Sequence, residues 1–206
     1  LCSTLSLLLE LAPWGRHIAF EPIARKAVSL QKKFPEVDVR AVALANVTGK
    51  VTFSENLSRP GFSGLRAPTD VKDRVREVEV QGDRLDSVLK PGYRVDFLKV
   101  DVEGAELKVL QGAAETLKRD RPAILFESGP GGAEKLGLSR RDLFSYLHDE
   151  QGYSIYFVKE YLAGAGPMDV EAFDAGHKYP FRAFNYLAID AKRSTAAAES
   201  DARGGT

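Results

Sequence analysis

The sequence predicts an α/β fold in which a largely parallel sheet is covered by helices, and two stretches carry that reading. The first is 93–128, YRVDFLKVDVEGAELKVLQGAAETLKRDRPAILFES, which contains a strand, a helix and a strand in that order. Val95–Val100 is β-branched and aromatic and too continuously apolar for a surface hairpin, the pattern of a central parallel strand covered on both faces. The second is 17–43, where HIAF, a helical pattern and an alternating VDVRAVA segment repeat the same order. Right-handed βαβ crossovers bring the ends of such strands to one carboxyl edge, where open α/β sheets bind ligands.

Taken along the chain, Leu1, Leu5, Leu8, Leu9 and Ala12 have helical spacing and read as part of an amphipathic helix entered partway, so the chain is expected to be truncated. A signal peptide is the competing reading, but no basic segment precedes the apolar run. His17–Phe20 is a short strand ending at Glu21-Pro22. Ile23–Phe34 places Ile23, Ala27, Leu30 and Phe34 on one helical face, and Pro35 stops it. Val37, Val39, Ala41 and Ala43 alternate as a third strand, with Ala43 and Leu44 at its tip. Asn46–Gly49 is turn chemistry before an edge strand at Lys50–Phe53.

The section Ser54–Asp73 has no period and reads as a long functional loop over the ligand edge. Arg76–Val80 alternates again, Gly82 is expected to break it, and Leu85–Leu89 forms a short helix. In the central unit, Leu107, Leu110, Ala114 and Leu117 share the face of one helix that begins at Ala105 and ends near Pro122. Ser139 and Asp142 resemble a capping box for a helix carrying Leu143, Phe144 and Leu147. Tyr153–Val158 and Ala183–Ile189 are strands, Gly164–Tyr179 is irregular, and 193–206 is a polar tail expected to be disordered. One domain over 1–192 is therefore expected.

Composition narrows the function classes. Lys plus Arg and Asp plus Glu both number 29, so no net positive field favours a nucleic-acid partner. No stretch approaches a membrane span, and the single Cys2 cannot form an internal disulfide, which fits a reducing, cytoplasmic setting.

Four segments, HIAFEP at 17–22, AVALANVTGKVTF at 41–53, GDRLDSVL at 82–89 and FLKVDVEGAE at 97–106, resemble in order and spacing the FkbM-type methyltransferases. The resemblance covers the chain from Leu1 to Ser128 strongly and the rest in outline. It implies a Rossmann-like class I methyltransferase sheet of order 3-2-1-4-5-7-6, with S-adenosylmethionine as cofactor and a hydroxyl of a glycan or small-molecule metabolite as acceptor. The family's first strand and glycine-rich turn precede the helix with which this sequence opens, so strand 1 is expected to be absent.

On that resemblance, Glu21 at the end of strand 2 is placed to accept hydrogen bonds from the cofactor ribose, and Ala43 and Leu44 to line the adenine pocket. Asp101 and Glu103 share strand parity with Lys99 and are catalytic candidates: a carboxylate beside a hydroxyl can orient it and accept its proton. Asp101 is assigned to positioning near cofactor and acceptor; the base is left open, because a nearby ammonium weakens a carboxylate as a base. Glu103 can equally cap the following helix. Asp101, Glu103 and Glu127 are oxygen donors that could suit a divalent cation, but no spacing is specific enough to prefer that role, and no metal ligands are assigned. His177 is the better of two histidine candidates for catalysis, and His148 reads as a surface residue. The same fold would also serve a nucleotide-dependent oxidoreductase or a non-catalytic binding module.

Overall fold

The computed structural model describes residues 2–65 and 72–192; the expected tail and part of the Ser54–Asp73 loop lie outside them. The chain opens with α1 (Cys2–Leu11), β1 (Ile18–Phe20), α2 (Ala24–Lys33) and β2 (Asp38–Arg40). Next come β3 (Ala43–Leu44), β4 (Gly49–Asn56), β5 (Val75–Asp83), α3 (Leu85–Val88) and β6 (Phe97–Val100). The central unit continues through α4 (Glu106–Gln111), α5 (Ala114–Asp120) and β7 (Ala123–Glu127). The remainder comprises α6 (Gly132–Lys135), α7 (Arg140–Ser145), β8 (Tyr153–Phe157), α8 (Val158–Leu162), α9 (Val170–Gly176) and β9 (Asn185–Asp190).

These strands form three sheets of order β1-β2, β3-β5-β4 and β6-β7-β9-β8. β1 and β2 are parallel, as are β6 and β7, while β9 runs antiparallel to both neighbours. Among the described residues no ladder joins β1 to β6. β6 is thus an edge strand, and Phe97 on it is 41% exposed, where a strand covered on both faces was expected.

The main core lies on β6-β7-β9-β8, where Ile124, Phe126, Tyr186 and Ala188 are fully buried against Leu110, Leu117, Leu147 and Phe173. A second cluster of Leu5, Ala19, Leu30, Phe34 and Val37 joins α1 and α2 to the small parallel sheet. All four residues assigned to the inner face of α2, Ile23, Ala27, Leu30 and Phe34, are buried. The capping box of α7 forms as its sequence indicates, with Ser139 accepting from the chain ahead and Asp142 reaching back.

Four elements depart from their sequence pattern. The third strand stops at Arg40, and Ala43–Leu44 joins another sheet by pairing with Gly82–Asp83, so these two residues are not the tip of β2. Gly82 does not break β5 but lies within it, opposite Gly49 and Ala43; a Cβ there would meet the Val51 side chain at 2.8 Å. The helix expected from Ala105 onward splits at Gly112, where a Cβ would lie 2.0 Å from the Ala45 carbonyl oxygen, and α5 restarts under a cap from Asp86. That carboxylate accepts from the Thr116 backbone N–H at 2.9 Å, the Thr116 hydroxyl at 2.8 Å and the Glu115 N–H at 3.1 Å. Finally, the segment around 170–176, read as irregular, is α9, capped by Asp169.

Candidate functional site

The carboxyl ends of β6 and β7 place four carboxylates together. β6 ends at Val100, and Glu103 stands at φ 55°, so strand parity does not continue from Asp101 to Glu103 as expected. A tight turn brings them together instead. Glu106, 3% exposed, closes this turn by accepting from the Gly104 N–H at 3.0 Å and the Val102 N–H at 3.4 Å. Gly104, at φ +102°, is pressed against Gly132: a Cβ there would meet the Gly132 carbonyl carbon at 2.3 Å. The turn after β6 and the loop after β7 are therefore in contact, and only glycine fits between them.

Glu103 is the most perturbed member of the group. Desolvation is the largest cause, and the fields of Asp101, Glu127 and Glu106 add to it, raising its pKa to about 7. Glu127 is also raised, by desolvation and then by Asp101, with Lys99 opposing. Lys99 stands 3.7 Å from Asp101 and donates to Asn185 Oδ1 at 3.1 Å, in the register position opposite Glu127. Among the described residues, no group of three or more His, Cys, Asp or Glu side chains is arranged to hold a metal ion.

Part of the water exclusion at Glu103 comes from the loop after β4. Ser54 and Gly64 exchange backbone hydrogen bonds of 2.9 and 3.2 Å, and a Cβ at Gly64 would lie 3.3 Å from both Glu103 Cβ and the Val102 carbonyl oxygen. Of the stretch expected to be a loop, Gly64 lies against the turn after β6, and β4 runs on to Asn56 before the loop begins.

At the end of β1, Glu21 is half-buried. Its Oε1 accepts from the Ile23 N–H at 2.9 Å, and no donor from the described residues reaches Oε2. Burial raises its pKa, opposed by the Ile23 hydrogen bond and by Lys26. Ala43 is buried, 2% exposed, while Leu44 packs against the main core, which makes both packing residues in this conformation.

His177 is not a loop histidine. It caps α9 at 4% exposure, with its ring stacked on Tyr186 at 5.2 Å and 6°. Nδ1 faces the Phe173 carbonyl oxygen at 2.7 Å and Nε2 faces Ser128 Oγ at 2.9 Å, which fits a neutral ring donating from Nδ1 and accepting from Ser128. Burial lowers its pKa in keeping with that state. Its contact with the edge runs through Ser128, next to Glu127. His148 is exposed and stacked on Phe144.

Residues 3–155 match the methyltransferase FkbM domain. The chain belongs to this family. The matched span contains Glu21, Ala43, Leu44, Asp101, Glu103 and Glu127, and stops short of His177. A search of curated proteins found no match. Among solved structures, the chain is similar to methyltransferase FkbM from Methylobacillus flagellatus, with a TM-score of 0.51 and 16% identity. The alignment covers 91% of this chain and 40% of that protein, so the likeness is one of fold, and the chain spans less than half that protein's length.

Two functional candidates had escaped the sequence pattern. Glu106 looks like an ordinary first-turn acid of an FkbM-domain helix, yet it is buried under the turn that carries Glu103. Glu55 was hidden in what read as loop, although it continues the Val51–Phe53 alternation onto the same face of β4.

Proposed function

We propose that this chain forms a Rossmann-like class I domain over 1–192 of an S-adenosylmethionine-dependent O-methyltransferase. The acceptor is a hydroxyl of a glycan or small-molecule metabolite, and the setting is cytoplasmic. The observation that carries the reading is Glu103, a partly desolvated carboxyl with a pKa near 7 at the carboxyl edge of an FkbM-family sheet. No helix of the described residues is long and apolar enough to cross a membrane.

Glu21 fits the ribose end of the cofactor. Its Oε2 has no protein donor among the described residues, and Oε1 keeps a second lone pair beside the Ile23 bond, so the carboxylate can accept from two hydroxyls. When bound, the cofactor supplies an electrophilic methyl group on a sulfonium. Asp101 orients the acceptor hydroxyl. Glu103 takes its proton as the oxygen gains the methyl group, and a base with a pKa near working pH is matched to that task. Glu127 and Asp101 keep Glu103 basic by their negative fields, and Lys99 fixes the opposite side through Asn185.

The test is transfer of a labelled methyl group from S-adenosylmethionine to a panel of glycans and hydroxylated metabolites by the full-length protein. Glu103→Gln is expected to lower transfer roughly a hundredfold or more while leaving adenosylhomocysteine binding unchanged. Undiminished transfer by Glu103→Gln would remove Glu103 as the base.

A further inference from the structure

Three consecutive polar side chains at the end of β4 are buried: Ser54 at 5%, Glu55 at 1% and Asn56 at 1% exposure. Glu55 is encircled by cations. Arg25 and Lys26, from the first turn of α2, both reach Oε1, Lys26 at 3.1 Å, while Arg76 of β5 donates to Oε2 at 2.7 Å. Burial alone would raise this carboxyl, but the hydrogen bonds of Arg76, Lys26 and Arg25 outweigh it and hold the pKa at about 2.

What lies on either side gives this cluster its meaning. On one side, α2 begins directly after Glu21, whose carboxylate accepts from the Ile23 N–H at that helix's start and feels the fields of Lys26 and Glu55. On the other, Ser54 holds Gly64 against Glu103. Asn56 Oδ1 accepts from the N–H groups of Ser58 and Arg59 at 3.0 and 2.7 Å, its Nδ2 donates to Asp73, and its own N–H donates to Ser63 Oγ.

We infer that Glu55 is a positioning residue that locks the Glu21 turn and the loop covering Glu103 into one arrangement. It touches neither reactant. This role rests on the reading of Glu21 and Glu103 given above, and it makes the two halves of the site interdependent although they belong to different sheets.

The experiment combines backbone hydrogen exchange of the full-length protein with adenosylhomocysteine calorimetry, on Glu55→Gln and on Arg76→Met. Among the described residues Arg76 pairs with Glu55, so Arg76→Met reaches the Glu21 turn through Glu55, and it leaves two of the three cations in place should Glu55→Gln fail to fold. Both variants are expected to speed exchange in 21–26 and 57–64 together, with the β6-β7-β9-β8 sheet still protected. Adenosylhomocysteine is expected to bind about tenfold more weakly to Glu55→Gln and a few-fold more weakly to Arg76→Met, the scale of ordinary site coupling. Wild-type exchange and affinity in a merely less stable protein would reduce Glu55 to a fold brace and overturn the inference. Should the wild type itself bind no adenosylhomocysteine, the methyltransferase reading falls. The exchange pattern then decides alone: loosening of both segments supports the lock, and loosening of only one overturns it.

Discussion

The ends of β4 and β6 each hold a glutamate out of water, with opposite outcomes. Glu55 is nearly inaccessible and has a pKa of about 2; Glu103 is less buried and has a pKa of about 7. Accessibility to water does not order them. Desolvation raises both, but at Glu55 two arginines and a lysine outweigh it, whereas at Glu103 it is the largest cause and Asp101, Glu127 and Glu106 add to it. The first carboxylate is spent on structure and is always charged near neutrality. The second is held where a small change in surroundings decides whether it keeps a proton, which is the property a proton acceptor requires.

The largest expected effect removes the geometry on the Glu103 side. Gly104→Ala places a Cβ into Gly132 at a positive φ, where both the clash and the backbone strain oppose folding. A loss of about 3–5 kcal/mol in urea unfolding is expected, the sum of overpacking and strain. A loss below about 1 kcal/mol, the size of ordinary substitutions, would mean that the two loops are not pressed together.

Next comes the Glu55 side. Glu55→Gln leaves three cations without their carboxylate and is expected to cost about 1–2 kcal/mol at pH 7, because Arg25 and Arg76 are more than half exposed and regain water. The pH dependence gives the sign. Because the folded pKa of Glu55 lies below its ordinary value of 4.5, its contribution is full above 4.5 and is lost as pH falls toward about 2. Glu103 runs the other way: its raised pKa favours folding below 4.5, and that contribution is lost as pH climbs to about 7. Urea midpoints measured from pH 3 to 8 should therefore flatten on the acid side in Glu55→Gln and on the neutral side in Glu103→Gln.

Smaller effects sharpen the contrast. Ser128→Ala removes the donor to His177 Nε2 and is expected to cost about 1–2 kcal/mol, since it leaves a buried nitrogen unpaired. Asp101→Asn should barely change stability, because the side chain is 43% exposed, but it removes one negative field from Glu103. The acid limb of methyl transfer should consequently move to lower pH in that variant; an unmoved limb would separate Asp101 from Glu103.

Why some of this was legible in the sequence and some was not follows from the range of the interactions. The α2 face, the α7 capping box and the two strands β6 and β7 with helical chain between them rest on local periodicity and local hydrogen bonds, and these formed as read. The break at Gly112 and the continuation of β5 through Gly82 are set by Ala45 and Val51, far away in sequence, so no local pattern announces them. Likewise Asp101, Glu103 and Glu127 could be singled out as carboxylates near one edge, but the turn that unites the first two depends on Glu106 and on a positive φ at Glu103. His177 was misplaced because α9 is short and its burial comes from Phe173 and Tyr186. Glu55 was passed over because an acid in a polar run reads as solvated until the cations of α2 and β5 are brought to it.

The most direct test of the central claim is a carbon-detected NMR titration of the Glu103 side-chain carboxyl in the full-length protein, assigned by comparison with Glu103→Gln. A midpoint near pH 7 that falls in Asp101→Asn is the expected result. A midpoint at the ordinary 4.5, unchanged by Asp101→Asn, would contradict it and leave the carboxyl edge without a proton acceptor poised for neutral pH.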